Sequence, residues 1–178
     1  ITGKANVDLD NLSVTGQAVI DGKLKIKDIK GFLTGFVNSY VGTTTFLTGT
    51  GVALSDDDTT LIPFTTGLNK TLSSWVAGDS NGSLDTGTIA DDTWYYIFAI
   101  YNPTTETTDI LISASLSSPT LPTNYTKKKY IGKFKTNSSS QINSYTILSE
   151  TTRGNLKERF LDIETGWWYN EYEDGFIE

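Results

Sequence analysis

The sequence predicts an all-β protein: an antiparallel β-sandwich head of jelly-roll type, preceded by a β-rich shaft or linker segment. Three observations support this prediction. Thr, Ser, Gly, Asn and aromatic residues are frequent, whereas residues that favour helices are sparse at helical spacing. Apolar and polar residues alternate at a period of two, as in half-buried strands. Clusters of turn-forming residues separate the short apolar runs, which is typical of sandwiches and jelly rolls.

Residues 1–31 form the first predicted unit, a segment that takes part in trimerisation. Its apolar residues alternate over short stretches that glycines interrupt, and no heptad repeat persists. Because so thin a segment cannot bury its apolar face alone, it requires the head or copies of itself from other chains. A chain that opens at Ile1 without an initiating Met is also expected to be a fragment of a longer polypeptide.

Residues 32–148 form the predicted head domain. The run from Thr93 to Ile100 is predicted to be its central strand, covered on both sides, because aromatic and aliphatic side chains occupy both of its faces. Trp94, Tyr96 and Phe98 share one face and are predicted to pack in the core. The clearest predicted strands of the head are 31–41, 59–64, 68–77, 93–101, 109–116, 129–136 and 144–148.

Residues 149–178 form a C-terminal extension that is predicted to pack on the head or on a neighbouring protomer. Leu156, Phe160 and Ile163 have the spacing of a short helix, but Phe160, Leu161 and Ile163 fit a strand almost as well. Both alternatives remain open for this element.

Composition excludes several classes of function. The chain has no Cys, Met or His, and so it lacks disulfides, thiol nucleophiles, the commonest metal ligand and the usual general base. A net charge of −7 argues against nucleic acid as a partner, because such binding depends on Lys and Arg. No apolar run approaches the length of a membrane span, which argues against membrane insertion. Neither a cofactor nor a metal site is predicted.

Two stretches resemble sequences of bacteriophage tail fibres. Residues 5–17 read ANVDLDNLSVTGQ and are similar to linker units of the form N-x-D-L-x-N-L-x-x-x-G between shaft and head. The second stretch is similar to a head module in which a Trp strand and a Gly-rich turn precede a TWY strand and an LPxxYxxxxxIGxxxT hairpin. Its matching residues are 67–70, 75–78, 81–87, 93–95, 121–125 and 130–136.

The resemblance implies a homotrimeric, receptor-binding protein at the tip of a phage tail fibre, which presents a β-rich head to the host cell. Lys127, Lys128 and Lys129 stand where relatives tend to carry Arg and aromatic residues, so this surface need not be shared. The charge pattern by itself favours a solvated strand end for these three lysines.

The candidate receptor site consists of Trp167, Trp168 and Tyr169, with Asp79 and Asn81 as a second candidate. Aromatic faces beside carboxylates hold sugar rings by stacking and hydrogen bonding, so the predicted partner is a host cell-surface glycan: lipopolysaccharide, capsule or teichoic acid. The alternative for the aromatic residues is packing against the head or a neighbouring protomer. Residues 79–85 superficially resemble a calcium loop, but they lack the remaining ligands and its closing Glu; an ordinary polar turn is favoured there and at 56–58.

Catalysis is not predicted. A glycan depolymerase would use two carboxylates about 5–9.5 Å apart. The chain has acidic residues, but no motif singles out a pair among Asp91, Asp92, Glu150, Glu158, Asp162 and Glu164. A serine hydrolase is disfavoured because neither His nor a G-x-S-x-G motif occurs. A purely structural, trimerising fibre segment remains the main alternative to a receptor-binding module.

Overall fold

The computed structural model describes residues 31–143 and the strands within residues 145–152, 155–162 and 168–170. These residues contain strands, turns and loops but no helix, which confirms the all-β prediction. The predicted shaft, residues 1–31, lies outside the described residues except for Gly31. The strands are β1 (Leu33–Gly35), β2 (Asn38–Gly42), β3 (Thr45–Thr48), β4 (Gly51–Leu54), β5 (Leu61–Phe64), β6 (Leu68–Ser74), β7 (Asn81–Leu84), β8 (Trp94–Asn102), β9 (Thr107–Ser113), β10 (Lys127–Lys135), β11 (Tyr145–Thr152), β12 (Asn155–Asp162) and β13 (Trp168–Asn170).

Strand β8 is covered on both faces, as its sequence predicts, but it is not central: in the seven-stranded sheet it lies next to the edge strand β10. Tyr95, Ile97 and Ala99 belong to the main core, whereas Phe98 and Ile100 belong to a second apolar cluster. This division follows from the alternation of side chains along a strand. Strands β9 and β10 flank β8 with antiparallel pairing on either side.

The largest sheet has seven strands in the order β10-β8-β9-β7-β6-β3-β2. Strand β7 pairs in parallel with both β6 and β9, while the other neighbours in this sheet are antiparallel. The prediction of a wholly antiparallel head is therefore wrong at β7. The reason is that a loop, instead of a tight hairpin, joins β6 to β7 and returns the chain in the same direction.

A second sheet, in the order β1-β4-β5, packs on the seven-stranded sheet. Phe36, Ala53, Ile62 and Phe64 from this part of the chain share the main core with side chains of the larger sheet. The predicted strand 31–41 is divided between the two sheets. Gly35 and Phe36 have φ angles of 79° and 59°, and this left-handed turn takes the chain from β1 to β2.

The seven-stranded sheet is curled, so that its edge strands β2 and β10 approach each other. The buried Asn38 amide donates hydrogen bonds to the carbonyl oxygens of Ile131 (2.9 Å) and Phe36 (3.2 Å). Its Oδ1 accepts one from the Thr48 hydroxyl at 2.7 Å. A side chain therefore joins the two edges where no backbone ladder does, and every hydrogen-bonding group of this buried amide side chain has a partner.

The remaining strands form a third sheet in the order β11-β12-β13, with antiparallel pairing. Strand β12 resolves the open choice for Leu156, Phe160 and Leu161 in favour of a strand, whereas Ile163 lies outside the described residues. Strand β11 runs across the predicted boundary between residues 148 and 149. The part of the chain that the structure describes contains no helix long and apolar enough to cross a membrane.

Candidate functional site

The loop from Trp75 to Asn81, here called the 75–81 loop, carries the predicted residues Asp79 and Asn81. Every residue from Val76 to Asn81 is exposed, and Val76 presents an apolar side chain that is 54% exposed. The backbone amides of Trp75 and Val76 donate to the carbonyl oxygens of Leu84 (2.8 Å) and Gly82 (3.0 Å) in β7. The loop is therefore exposed in its side chains but tied to the sheet through its backbone.

A buried ion pair lies beneath this loop. Lys70 of β6 is fully buried, and its ammonium is 3.0 Å from Asp109 Oδ1. The same ammonium donates to the carbonyl oxygens of Val76 (2.9 Å) and Gly78 (3.0 Å), so all three of its donors are used. Asp109 Oδ2 in turn accepts the Gly78 amide at 2.7 Å. Asp109 thus bonds the amide of Gly78, and Lys70 bonds its carbonyl group.

Burial lowers the pKa of Lys70 below its usual 10.5, because removal from water disfavours the charged ammonium. The neighbouring Asp109 carboxylate opposes this shift by Coulombic attraction and by its hydrogen bond. The cost of burying the charge is met only because a carboxylate and two carbonyl oxygens surround it.

Asp79 and Asn81 lie at the exposed end of the same loop. Asp79 Oδ1 accepts the backbone amide of Asn69 at 2.7 Å, and Asp79 Oδ2 accepts the Ser80 hydroxyl at 3.0 Å. The Asn69 amide is the main reason that the pKa of Asp79 lies below its usual value. The Asn81 side-chain amide donates to the Ala77 carbonyl at 2.6 Å. The structure therefore brings both predicted residues together, in fixed orientations.

Trp75 anchors the first end of the loop. Its indole Nε1 donates to the Ile110 carbonyl at 3.1 Å, and its ring meets the Tyr125 ring edge-on with centroids 5.2 Å apart. The ring packs against the second apolar cluster, which includes Phe98 and Leu111. Trp75 thus links the loop to the outer face of β8 and β9.

An aromatic face continues along β8 and β10. Phe98 is fully buried, as predicted, but Trp94 and Tyr96 are only half-buried. The Tyr96 and Phe98 rings each lie 6.1 Å from the Tyr130 ring, and Lys133 Nζ lies 4.9 Å above the Trp94 ring. The predicted core packing is therefore confirmed for Phe98, and it holds only in part for Trp94 and Tyr96.

The acidic turn between β4 and β5 pairs with the lysine run of β10. Asp57 bonds Lys127, and Asp56 lies 2.5 Å from the Lys128 ammonium and 3.4 Å from the Lys129 ammonium. These lysines do lie at the start of β10 and are partly exposed, as predicted, but each also forms an ion pair, which the charge pattern does not predict. The pairs join the smaller sheet to the edge of the larger one.

Replacing Asp57 by Asn should lower thermal stability at pH 7 by an amount that disappears in acid. The hydrogen bond from Lys127 is the largest cause that holds the pKa of Asp57 far below its usual 3.8. Because the folded state binds the proton less tightly than the unfolded state, this stabilisation is present above pH 3.8 and is lost as the pH falls further. The pair is partly exposed, so its contribution at pH 7 is at most about 1 kcal/mol.

The measurement is a series of melting curves between pH 7 and pH 2 for the wild type and Asp57→Asn. Asp58→Asn is the matched control, because Asp58 accepts the Gly31 amide, whereas the ion pairs of this turn with the lysine run are formed by Asp56 and Asp57. A gap between wild type and Asp57→Asn that is as large at pH 2 as at pH 7 would contradict the assignment.

The predicted C-terminal site is described only in part. Trp167 lies outside the described residues. Trp168 and Tyr169 lie in β13, where they pair with Leu161 and Phe160 of β12. The structure therefore places two of the three residues on one strand, and their role in receptor binding stays a prediction.

Lys70 and Asp109 were not among the predicted site residues. The sequence does contain one signal for Lys70, which lies two residues from Leu68 and two from Leu72. In a strand these three side chains share one face, so the strand turns a charged residue toward the core. A lysine at such a position requires a buried partner. Nothing in the local sequence names Asp109 as that partner.

Of the acidic residues considered for catalysis, Asp91 and Asp92 precede β8, three lie on β11 and β12 (Glu150, Glu158 and Asp162), and Glu164 lies outside the described residues. Asp91 Oδ1 accepts the Ser140 hydroxyl at 2.6 Å. In the register of β11 and β12, Glu150 lies opposite Lys157 and Glu158 lies opposite Ser149. Among the residues that the structure describes, no group of three or more metal-ligating side chains comes together. Comparisons of the chain with protein-family models, with curated proteins and with solved structures found no match.

Proposed function

We propose that the chain is a receptor-binding module of a bacteriophage tail fibre, which attaches the virion to a saccharide on the host surface. It acts as an adhesin at the fibre tip, as a homotrimer and without catalysis. In this proposal the head is a sandwich-type domain whose strands follow the order of a jelly roll. The observation that carries the proposal is the 75–81 loop, which presents exposed polar side chains in fixed orientations on an all-β body.

The chemistry of the loop suits a sugar. The Asp79 carboxylate and the Asn81 amide can accept hydrogen bonds from hydroxyl groups, and the exposed Val76 offers an apolar contact to a ring face. A single site of this kind binds weakly. Three copies in a trimer would raise the apparent affinity about 10²–10⁴-fold when they bind together.

The test is binding of the purified chain to intact cells of a panel of bacterial strains, with light scattering to verify a mass of about three times 19.5 kDa. Asp79→Asn should weaken binding about tenfold or more, because a hydrogen bond to a charged group contributes about 1.5–3 kcal/mol. This change keeps the acceptor for the Asn69 amide. Asp85→Asn is the matched control, since Asp85 is bonded to the Thr86 and Thr120 amides at the other end of β7.

Three outcomes separate the alternatives. Binding that falls for Trp168→Ala but not for Asp79→Asn would move the site to β13. A stable trimer that binds no strain would favour the purely structural fibre segment. Release of oligosaccharides from the bound cells would favour a depolymerase and would refute the non-catalytic proposal.

A further inference from the structure

We propose that the Lys70–Asp109 ion pair positions the 75–81 loop for receptor binding, as a device distinct from the stability of the core; this inference rests on the proposed function. The pair is buried, with side-chain exposures of 0% and 2%, but the groups that it holds belong to an exposed loop. Two charges from β6 and β9 thus meet under a loop that neither strand contains.

The bonding pattern supports a positioning role. The two charged groups contact the backbone of the loop at Val76 and Gly78 and none of its exposed side chains. Gly78 has a φ angle of 95°, a conformation that L side chains rarely adopt. The ion pair therefore fixes the path of the backbone next to Asp79, while the side chains that would face a ligand remain available.

Stability alone does not explain such a pair. Apolar residues of similar volume often stabilise a protein equally well at the position of a buried ion pair, because both charges lose their hydration. An ordered loop has a different benefit: a ligand that meets a preformed site does not have to order it, so affinity improves. This is the advantage that a receptor-binding loop on a fibre requires.

The loop also defines the class of ligand. Within residues 67–85 Lys70 is the only Lys or Arg, and its ammonium is buried and fully bonded. The exposed groups are a carboxylate, an amide, a hydroxyl and the Val76 methyls. They fit an uncharged, hydroxyl-rich saccharide and disfavour a phosphate-bearing polymer, which a cationic site would select.

The experiment replaces both charges at once. Lys70→Met combined with Asp109→Leu removes the pair without leaving one buried charge, so the fold should survive with a melting temperature within a few degrees of wild type. The Gly78 amide loses its acceptor, and its hydrogen exchange should rise at least tenfold. Retention of the trimer on immobilised neutral O-antigen polysaccharides should fall at least tenfold. The matched control is Lys128→Met with Asp56→Leu, which removes a surface pair and should leave retention unchanged.

The outcomes distinguish this inference from the proposed function. If the wild type is retained on no polysaccharide, the proposed function and this inference both fail. If the wild type is retained and the double variant is retained equally, although the Gly78 amide exchanges faster, only the positioning role fails. Loss of retention without faster exchange would also refute it. Retention confined to phosphate-bearing teichoic acids would refute the ligand class.

A second variant covers the case in which the double variant does not fold. Lys70→Gln combined with Asp109→Asn keeps polar side chains of similar size, including an oxygen that can accept the Gly78 amide, but it removes both charges and leaves no unpaired buried ammonium. It should raise exchange at Gly78 and reduce retention by smaller factors, in the same direction. A trimer of this polar double variant with faster exchange and unchanged retention would refute the positioning role.

Discussion

Replacing Asp109 by Ala is expected to lower the free energy of unfolding by about 3–5 kcal/mol, because the change leaves the Lys70 ammonium buried without its counter-charge. The Ile110 and Gly78 amides also lose acceptors at 2.6 Å and 2.7 Å. Urea denaturation at pH 7 measures the loss. Asp57→Ala is the comparison, since its partly exposed pair with Lys127 should contribute no more than about 1 kcal/mol.

The pH dependence of this variant gives an independent check. Burial already lowers the pKa of Lys70, and loss of Asp109 removes the attraction that opposes this shift. Since the unfolded state then binds the proton more tightly, stability rises with pH up to about 10.5, where the unfolded lysine loses its charge. The variant should recover part of its stability between pH 7 and pH 10. A loss that stays constant over this range would mean that Lys70 is not the group responsible.

Gly82→Ala is expected to cost about 3 kcal/mol or more, because the added methyl has no space. A Cβ at Gly82 would lie 1.9 Å from the Ser74 carbonyl oxygen and 2.6 Å from that of Ser73. Both contacts are with the backbone of β6, so relief requires β6 and β7 to move apart and breaks their parallel pairing. Denaturation curves would measure the loss.

Gly42→Ala is the control for this prediction. A Cβ at Gly42 meets no atom within 4 Å, and this glycine also lies in a strand of the same sheet. The control should leave stability unchanged or raise it by up to about 1 kcal/mol, through the smaller entropy of the unfolded chain. Equal effects of the two substitutions would mean that β7 does not pack against β6 as described.

Long apolar strands could be predicted from the sequence, and short polar ones could not. Strand β8 is recognisable because every residue from Trp94 to Tyr101 is aromatic or aliphatic. Strand β7 reads Asn-Gly-Ser-Leu, a composition of turns, and it becomes a strand because β6 and β9 lie on either side. Strands β3 and β4 were not predicted for a different reason: they are largely apolar, but they are four residues long and lie among Thr and Gly residues that resemble a loop.

The candidate site could be predicted only where it is local. Asp79 and Asn81 belong to one turn, so the sequence shows that they lie together. Lys70 and Asp109 lie on different strands, β6 and β9, and they meet only because the fold places these strands on either side of β7. The pairing of Lys127 with Asp57 spans 70 residues, and the charge pattern of either segment alone indicates only a solvated surface.

The junction of β2 with β10 has a consequence for synthesis on the ribosome. Asn38 bonds Ile131, 93 residues later in the chain. At a translation rate of about 5–20 residues per second, the apolar face of the early strands stays uncovered for roughly 5–20 s until β10 has been synthesised. The nascent chain therefore passes through a period in which Phe46 and its neighbours are open to association with other unfinished chains, and slow translation or a chaperone at this stage would change the yield of folded protein.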